Sequence, residues 1–253
     1  MKIAIFQYDP DWENRDANMQ KIWNMAADLD NGIDLMVFPE LTLTAFTMRS
    51  RRFAEGLADR SIGFFSDLAR TYHAGVFAGL IENKDNNFYN SMVHINPSGH
   101  LMAVYRKIHP FSFSGENRFY RGGMEPVVTM VGEVHIGMTI CYDLRFPELY
   151  RKYGKARTEL IINIANWPEK RIVHWQALLR ARAIENQAYV IGVNRVGSDK
   201  KNTYNGCSAI YHPYGDEILL AENRQGVFVS DLDVNEVYRL RKMYPFLDDI
   251  ILV

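Results

Sequence analysis

Short apolar runs closed by turn residues recur along the chain, with stretches of helical period between them. "KIAIFQY" (Lys2 to Tyr8) stops at Asp9 and Pro10 and reads as a buried strand. From Asn14 to Asp30 the apolar positions Ala17, Ile22, Ala26 and Leu29 follow a helical period. "IDLMVFPE" returns to strand. Pro39 holds Phe38 extended and has no N–H to continue a ladder, so Glu40 falls just past the strand's end. A helix follows over 62–72, then three strands, "AGVFAGLIE", "FYNSMVHIN" and "LMAVYRK", joined by turns at "KDNN" and "PSGH".

Residues 108–126 form a long loop of phenylalanines, glycines and charges, a length more often functional than idle. Beyond it, "PVVTMV" and "EVHIGMTIC" read as strands turning near Gly132, and "FPELYRKYG" as a short helix ended by Gly154. "ELIINIAN" is a strand. "RIVHWQALLRARAIENQ" is the clearest helix, with Trp175, Leu178, Leu179, Arg182 and Ala183 near one face. The strands "AYVIGVNRV", "GCSAIYHP", "EILLA" and "GVFVSDL" precede a closing helix, "DVNEVYRLRKM", with Asp233 as its cap. Strands and helices alternate with no linker or fixed-period repeat. The expectation is one α/β domain over residues 1–253, with two facing sheets covered by helices.

Composition narrows the function. With 29 basic and 30 acidic residues the net charge is −1, which gives no electrostatic reason to expect nucleic acid or an anionic membrane as partner. No apolar stretch approaches a membrane span, and the first residues lack the features of a secretory signal. Two cysteines make no disulfide framework and have no metal-ligand spacing, and the seven histidines are scattered. The reading is a cytoplasmic protein with free thiols and neither metal nor cofactor.

Three reactive side chains each stand just beyond an apolar strand: Glu40 after "LMVF", Lys107 after "LMAVY" and Cys141 after "HIGMTI". α/β sheets build sites at the carboxyl ends of strands. Taken alone, Cys141 reads as a core filler and the other two as solvated loop residues. Taken together, they suit nucleophilic attack on a carbonyl. The carboxylate takes the thiol proton, the ammonium faces the oxyanion, and the Tyr142 backbone N–H is a second donor. Cys207 begins a strand and reads as packing, and Glu148 reads as structural. Asp143 and Arg145 are expected to pin the turn after Cys141.

These pieces in this order resemble the nitrilase superfamily of carbon–nitrogen hydrolases: "FPE" with Glu40, "RKIHPF" with Lys107 and "CYDLRFPELYR" with Cys141. The resemblance implies a four-layer αββα sandwich that assembles as a homodimer or larger homo-oligomer. It also implies a second glutamate, Glu116 in "GENRFYRGG", that orients the lysine. "NIANWPEKRIVHWQALLRARAIENQAYVIGVNRVG" is similar to the omega-amidase branch, which hydrolyses small dicarboxylic monoamides such as 2-oxoglutaramate and 2-oxosuccinamate. The alternatives are an N-carbamoyl hydrolase, a nitrile hydrolase, an amidase acting on deaminated glutathione, or a non-catalytic binding protein on the same fold. For a carboxylate-bearing substrate Arg171 is the expected anchor, with Phe46, Phe113 and Trp167 as pocket walls.

Overall fold

The computed structural model describes residues 1–30 and 32–252, so Val253, the last residue of the expected domain, lies outside it. Its strands are β1 (Lys2–Gln7), β2 (Leu35–Val37), β3 (Gly75–Lys84), β4 (Asn87–Ile95), β5 (Leu101–Arg106), β6 (Val127–Val131) and β7 (Val134–Ile140). They continue as β8 (Leu160–Ile164), β9 (Tyr189–Val193), β10 (Val196–Ser198), β11 (Thr203–Asn205), β12 (Ala209–Tyr211), β13 (Glu217–Leu220) and β14 (Gly226–Asp231). The helices are α1 (Arg15–Ala26), α2 (Ser50–Phe53), α3 (Arg60–Tyr72), α4 (Pro147–Lys155), α5 (Ile172–Asn186) and α6 (Asn235–Met243).

Two six-stranded sheets form, ordered β14-β1-β2-β3-β4-β5 and β13-β12-β9-β8-β7-β6. Each has a parallel centre, β1-β2-β3 in one and β7-β8-β9 in the other, flanked by antiparallel strands. The alternation of side chains sorts the first sheet's faces. Ile3, Ile5, Leu35, Val37, Phe77 and Met92 join Ile136, Met138 and Ile140 of the second sheet in one core. Their neighbours Ala4, Phe6, Met36, Phe38, Val76 and Ala78 point the other way, onto Met19 and Ile22 of α1 and Phe65 and Leu68 of α3. On the second sheet, glycines mark the helix-facing positions. A Cβ at Gly137 would come within 2.8 Å of the Tyr153 ring of α4, and one at Gly192 within 2.4 Å of Leu179 of α5. The order helix, sheet, sheet, helix is the expected four-layer αββα sandwich.

Two local expectations need correction, and two short elements were not anticipated. Gly154 does not end α4; the helix runs on to Lys155. A Cβ at Gly154 would come within 2.5 Å of Asn186 Oδ1, so the glycine lets α4 and α5 approach closely. Helix α2 and the β10–β11 hairpin were unanticipated, because three- and four-residue elements leave too short a pattern to read. At α6 the N-cap position is Val234, one residue after the expected Asp233, whose Oδ1 still accepts the Asn235 N–H at 3.0 Å.

His94 of β4 lies between the sheets. Its ring stacks on Phe77 at 4.5 Å, and Nδ1 is 2.8 Å from Thr129 Oγ1 of β6, while Nε2 has no partner. Burial lowers its pKa to about 4. The unfolded chain takes up this proton near pH 6.5, before the folded protein does. Folded stability therefore falls as pH drops from 6.5 towards 4, by about 3 kcal/mol over the whole window at about 1.4 kcal/mol per unit. Urea midpoints at pH 7.5 and 4.5 should show a steeper acid loss for the wild type than for His94→Gln. Equal losses would contradict the assignment.

Candidate active site

The first sheet supplies the acid and the amine. After Phe38 and Pro39 the chain turns back across β3, with Leu41 at φ +47°. A Cβ at Gly79 would lie 2.4 Å from the Leu41 nitrogen, so only glycine lets the turn pass. Thr42 fastens it: Oγ1 donates to the Pro39 carbonyl at 2.7 Å and accepts the Gly79 N–H at 2.9 Å. The turn delivers Glu40, fully buried, to the ends of the parallel strands.

Lys107 follows β5, and its own N–H is held by the Asn90 carbonyl at 2.8 Å. Its buried Nζ donates to Glu40 Oε1 at 2.8 Å and to Glu116 Oε2 at 2.9 Å. Glu116 stands in a short 3₁₀ turn of the 108–126 loop, and its Oε2 also accepts the Phe111 N–H at 2.5 Å. Asn90 ties the two glutamates together. Its Nδ2 donates to Glu40 Oε1 at 2.7 Å and to Glu116 Oε1 at 2.9 Å.

The second sheet supplies the thiol. Cys141 follows β7 with φ +48°, a conformation unfavourable for a side chain with a Cβ. Neighbours hold it there. The Cys141 N–H donates to Asn163 Oδ1 at 3.1 Å, and Asn163 Nδ2 donates to Thr139 Oγ1 and Tyr150 OH. Asp143 pins the other side, accepting the Ile140 N–H at 3.0 Å, Tyr105 OH at 2.7 Å and the His109 N–H at 3.0 Å. Its carboxylate thus joins the cysteine turn to the chain just after Lys107.

The two halves meet at Asn166. Its backbone N–H donates to Glu40 Oε2 at 2.9 Å, and its side-chain Nδ2 donates to the Glu40 carbonyl at 2.7 Å. Burial pushes the Cys141 thiol well above its usual pKa, and the Glu40 carboxylate adds to this while the Lys107 ammonium works against it. For Lys107, burial acts against the ammonium, but Glu116 and Glu40 outweigh it and hold the amine well above its usual value. At neutral pH the cysteine is therefore a thiol beside a charged lysine.

Cys141 opens on a cavity of about 250 Å³. Phe46, Trp167 and Tyr204 wall it, and Phe113 lies at its rim with 89% of its surface exposed. Arg171 lines it with its guanidinium 5.5 Å from the Phe111 ring centre. Arg145 corrects the expectation that it pins the cysteine turn, which Asp143 does without it. Its guanidinium lies 4.9 Å over Trp167, in the cavity wall. Lys201 is a third cation there. Among the described residues none of the three pairs with a carboxylate, and no Asp or Glu lines the cavity. Among the same residues no cluster of His, Cys, Asp and Glu is arranged to hold a metal ion. The sequence reading had missed Asn90, Asn163 and Asn166. Each is an amide inside or just after an otherwise apolar strand, and that interruption was the available signal.

An acid, an amine and a thiol gather at the strand ends of this αββα sandwich, and comparison with known proteins shows the family. The carbon–nitrogen hydrolase family model matches residues 2–242, and the chain belongs to this family. It is 38% identical to a 2-oxoglutaramate amidase of Paenarthrobacter nicotinovorans over 88% of this chain and 81% of that one. To an omega-amidase of Escherichia coli strain K12 it is 32% identical, over 98% of this chain and 96% of that one. A solved CN-hydrolase superfamily protein of Xanthomonas campestris, with an arsenic adduct in its active site, superposes with a TM-score of 0.95. That match is 27% identical and covers 100% of this chain and 98% of the other.

Proposed function

We propose that the protein is an omega-amidase that hydrolyses the terminal amide of small dicarboxylic monoamides, 2-oxoglutaramate and 2-oxosuccinamate among them, through a thioester on Cys141. One observation carries the reading: a small cavity opens on Cys141, lined, among the described residues, by three cations without a carboxylate partner and by no acid. Such a lining suits a substrate with an amide at one end and a carboxylate at the other. The relatives' names point the same way.

In this mechanism Glu40 takes the Cys141 proton, since a thiol pushed up by burial does not ionise unaided. The sulfur attacks the amide carbon. Lys107 and the Tyr142 N–H face the oxyanion, the Cys141 N–H being already bonded to Asn163. Glu40 returns its proton to the nitrogen, ammonia leaves, and a thioester remains. Water then gives a proton to Glu40 and its hydroxyl to the carbonyl carbon. The acid departs and the proton returns to sulfur. Glu116 orients Lys107.

Ammonia release across 2-oxoglutaramate, succinamate, L-glutamine, an N-carbamoyl amino acid and a simple nitrile tests the reading. Release should be fastest from the carboxylate-bearing monoamides, and a preference for the carbamoyl compound or the nitrile would refute it. Arg145→Ala and Arg171→Ala should each raise KM for 2-oxoglutaramate about tenfold or more, with a smaller change in kcat, as loss of one charge-assisted hydrogen bond implies. An unchanged KM in either variant would remove that arginine from the anchor.

The same reading takes residues 1–253 as one domain, working in the cytoplasm as a homodimer or larger homo-oligomer. Both cysteines are free, and exposed Phe246, Ile251 and Leu252 offer apolar surface for a second copy. Sedimentation at micromolar concentration would test the assembly.

A further inference from the structure

The β10–β11 hairpin has a more elaborate foundation than its length requires. Arg195, which precedes it, is 1% exposed. Its Nη2 donates to Asp9 Oδ1 at 2.5 Å, its Nε donates to the Val196 carbonyl at 3.0 Å, and its guanidinium lies 4.5 Å over the Tyr204 ring. Asp9 packs so tightly on the first hairpin strand that a Cβ at Gly197, φ +89°, would come within 2.0 Å of its carboxyl carbon. Tyr204 lines the cavity, and its hydroxyl donates to Asp199 Oδ2 at 2.6 Å. The other oxygen of Asp199 accepts the backbone N–H groups of Lys201 at 2.7 Å and Asn202 at 2.9 Å. A chain of contacts therefore runs from buried Arg195 through Tyr204 and Asp199 to the turn, and that turn brings Lys201 and Asn202 to the cavity.

The lining has a chemical consequence. With cations at Arg145, Arg171 and Lys201 and no carboxylate among the described residues of its lining, the cavity wall has no group to balance a positive charge on the substrate. An amino-acid amide such as L-glutamine brings an ammonium into a field of like sign, whereas the 2-oxo acid carries only its carboxylate and a carbonyl acceptor. Asn202 has an amide able to donate to that carbonyl.

We propose that the 199–204 turn is the specificity element for the substrate's tail. Lys201 and Asn202 receive an anionic, amine-free 2-oxo acid end, and Arg195, Tyr204 and Asp199 are the positioning residues that hold them. This rests on the amidase reading above and assigns its substrate discrimination to a segment remote in sequence from the catalytic residues.

The test compares kcat/KM for 2-oxoglutaramate, L-glutamine and uncharged pentanamide in the wild type, Lys201→Ala, Lys201→Glu and Tyr204→Phe. In Lys201→Ala the ratio of 2-oxoglutaramate to pentanamide should fall about tenfold, mainly through KM. Lys201→Glu should lower it further and raise L-glutamine relative to 2-oxoglutaramate. Tyr204→Phe, which loses only the bond to Asp199, should show a smaller fall in the same direction, again in KM more than kcat. A wild type that prefers 2-oxoglutaramate, with that preference undiminished in both Lys201 variants, overturns the inference and leaves the amidase reading standing. A wild type that hydrolyses 2-oxoglutaramate no faster than pentanamide overturns the omega-amidase reading, and this inference with it.

Discussion

Cys141→Ala should release ammonia from 2-oxoglutaramate roughly 10⁵-fold more slowly than the wild type, with its urea midpoint little changed. Both parts follow from the site. In the proposed mechanism the sulfur is the only atom that bonds to the substrate, so no neighbour can substitute for it. The turn that carries it is held by the Cys141 N–H on Asn163 and by the Asp143 carboxylate, and alanine keeps both. Alanine also keeps the Cβ, so the positive φ at this position is no more strained than before. Acid-quenched wild-type enzyme should carry a substrate acyl group on the peptide containing Cys141, seen by mass spectrometry. A variant with near wild-type turnover, or an adduct on Cys207 instead, would exclude the mechanism.

Replacing Lys107 by methionine should lower stability by about 3–5 kcal/mol and stop turnover. The ammonium sits between two buried carboxylates, Glu40 at 2.8 Å and Glu116 at 2.9 Å. Removing one partner of a buried charge cluster leaves the others uncompensated, and that penalty exceeds the net worth of the contact itself. In the variant the two carboxylates share only the Asn90 amide, and repulsion favours protonation of one of them. The sign follows: an acid whose pKa is raised by folding stabilises at low pH and loses that contribution as pH rises. The deficit of Lys107→Met should therefore shrink on going from pH 8 to pH 5. Adding Glu116→Gln should restore much of the stability and none of the turnover. Urea titration of the single and double variants, with ammonia release, measures both. A single variant as stable as wild type at pH 8 would mean that the cluster is not charged as described.

Apolar runs and strand ends were legible because they are local. Ile3 and Ile5 face one way and Ala4 and Phe6 the other through the geometry of neighbouring residues, and a proline after an apolar run closes a strand wherever it occurs. Glu40, Lys107 and Cys141 stood out by the same logic, as reactive groups just beyond such runs. The expected anchor, Arg171, does line the cavity, but the equivalent placement of Arg145 was invisible. Both a pinned turn and a cavity wall lie within reach of an arginine four residues past Cys141, and only packing on Trp167 selects the second. Gly154 misled for a related reason: a glycine near a helix end has two uses, and the proximity of Asn186 determines which applies.

The sequence by itself determined the order of the longer elements, which of them are buried and the residues able to do chemistry, since each depends on neighbours a few positions apart. Tertiary structure alone decided convergence: that Asn166 bonds Glu40 across 126 positions, that Asn90 joins two carboxylates, and that a hairpin founded on Arg195 brings a lysine to the cavity. Such contacts arise when two sheets close face to face. Nothing in the local chain encodes which distant amide will meet which carboxylate, because that depends on how the whole core packs.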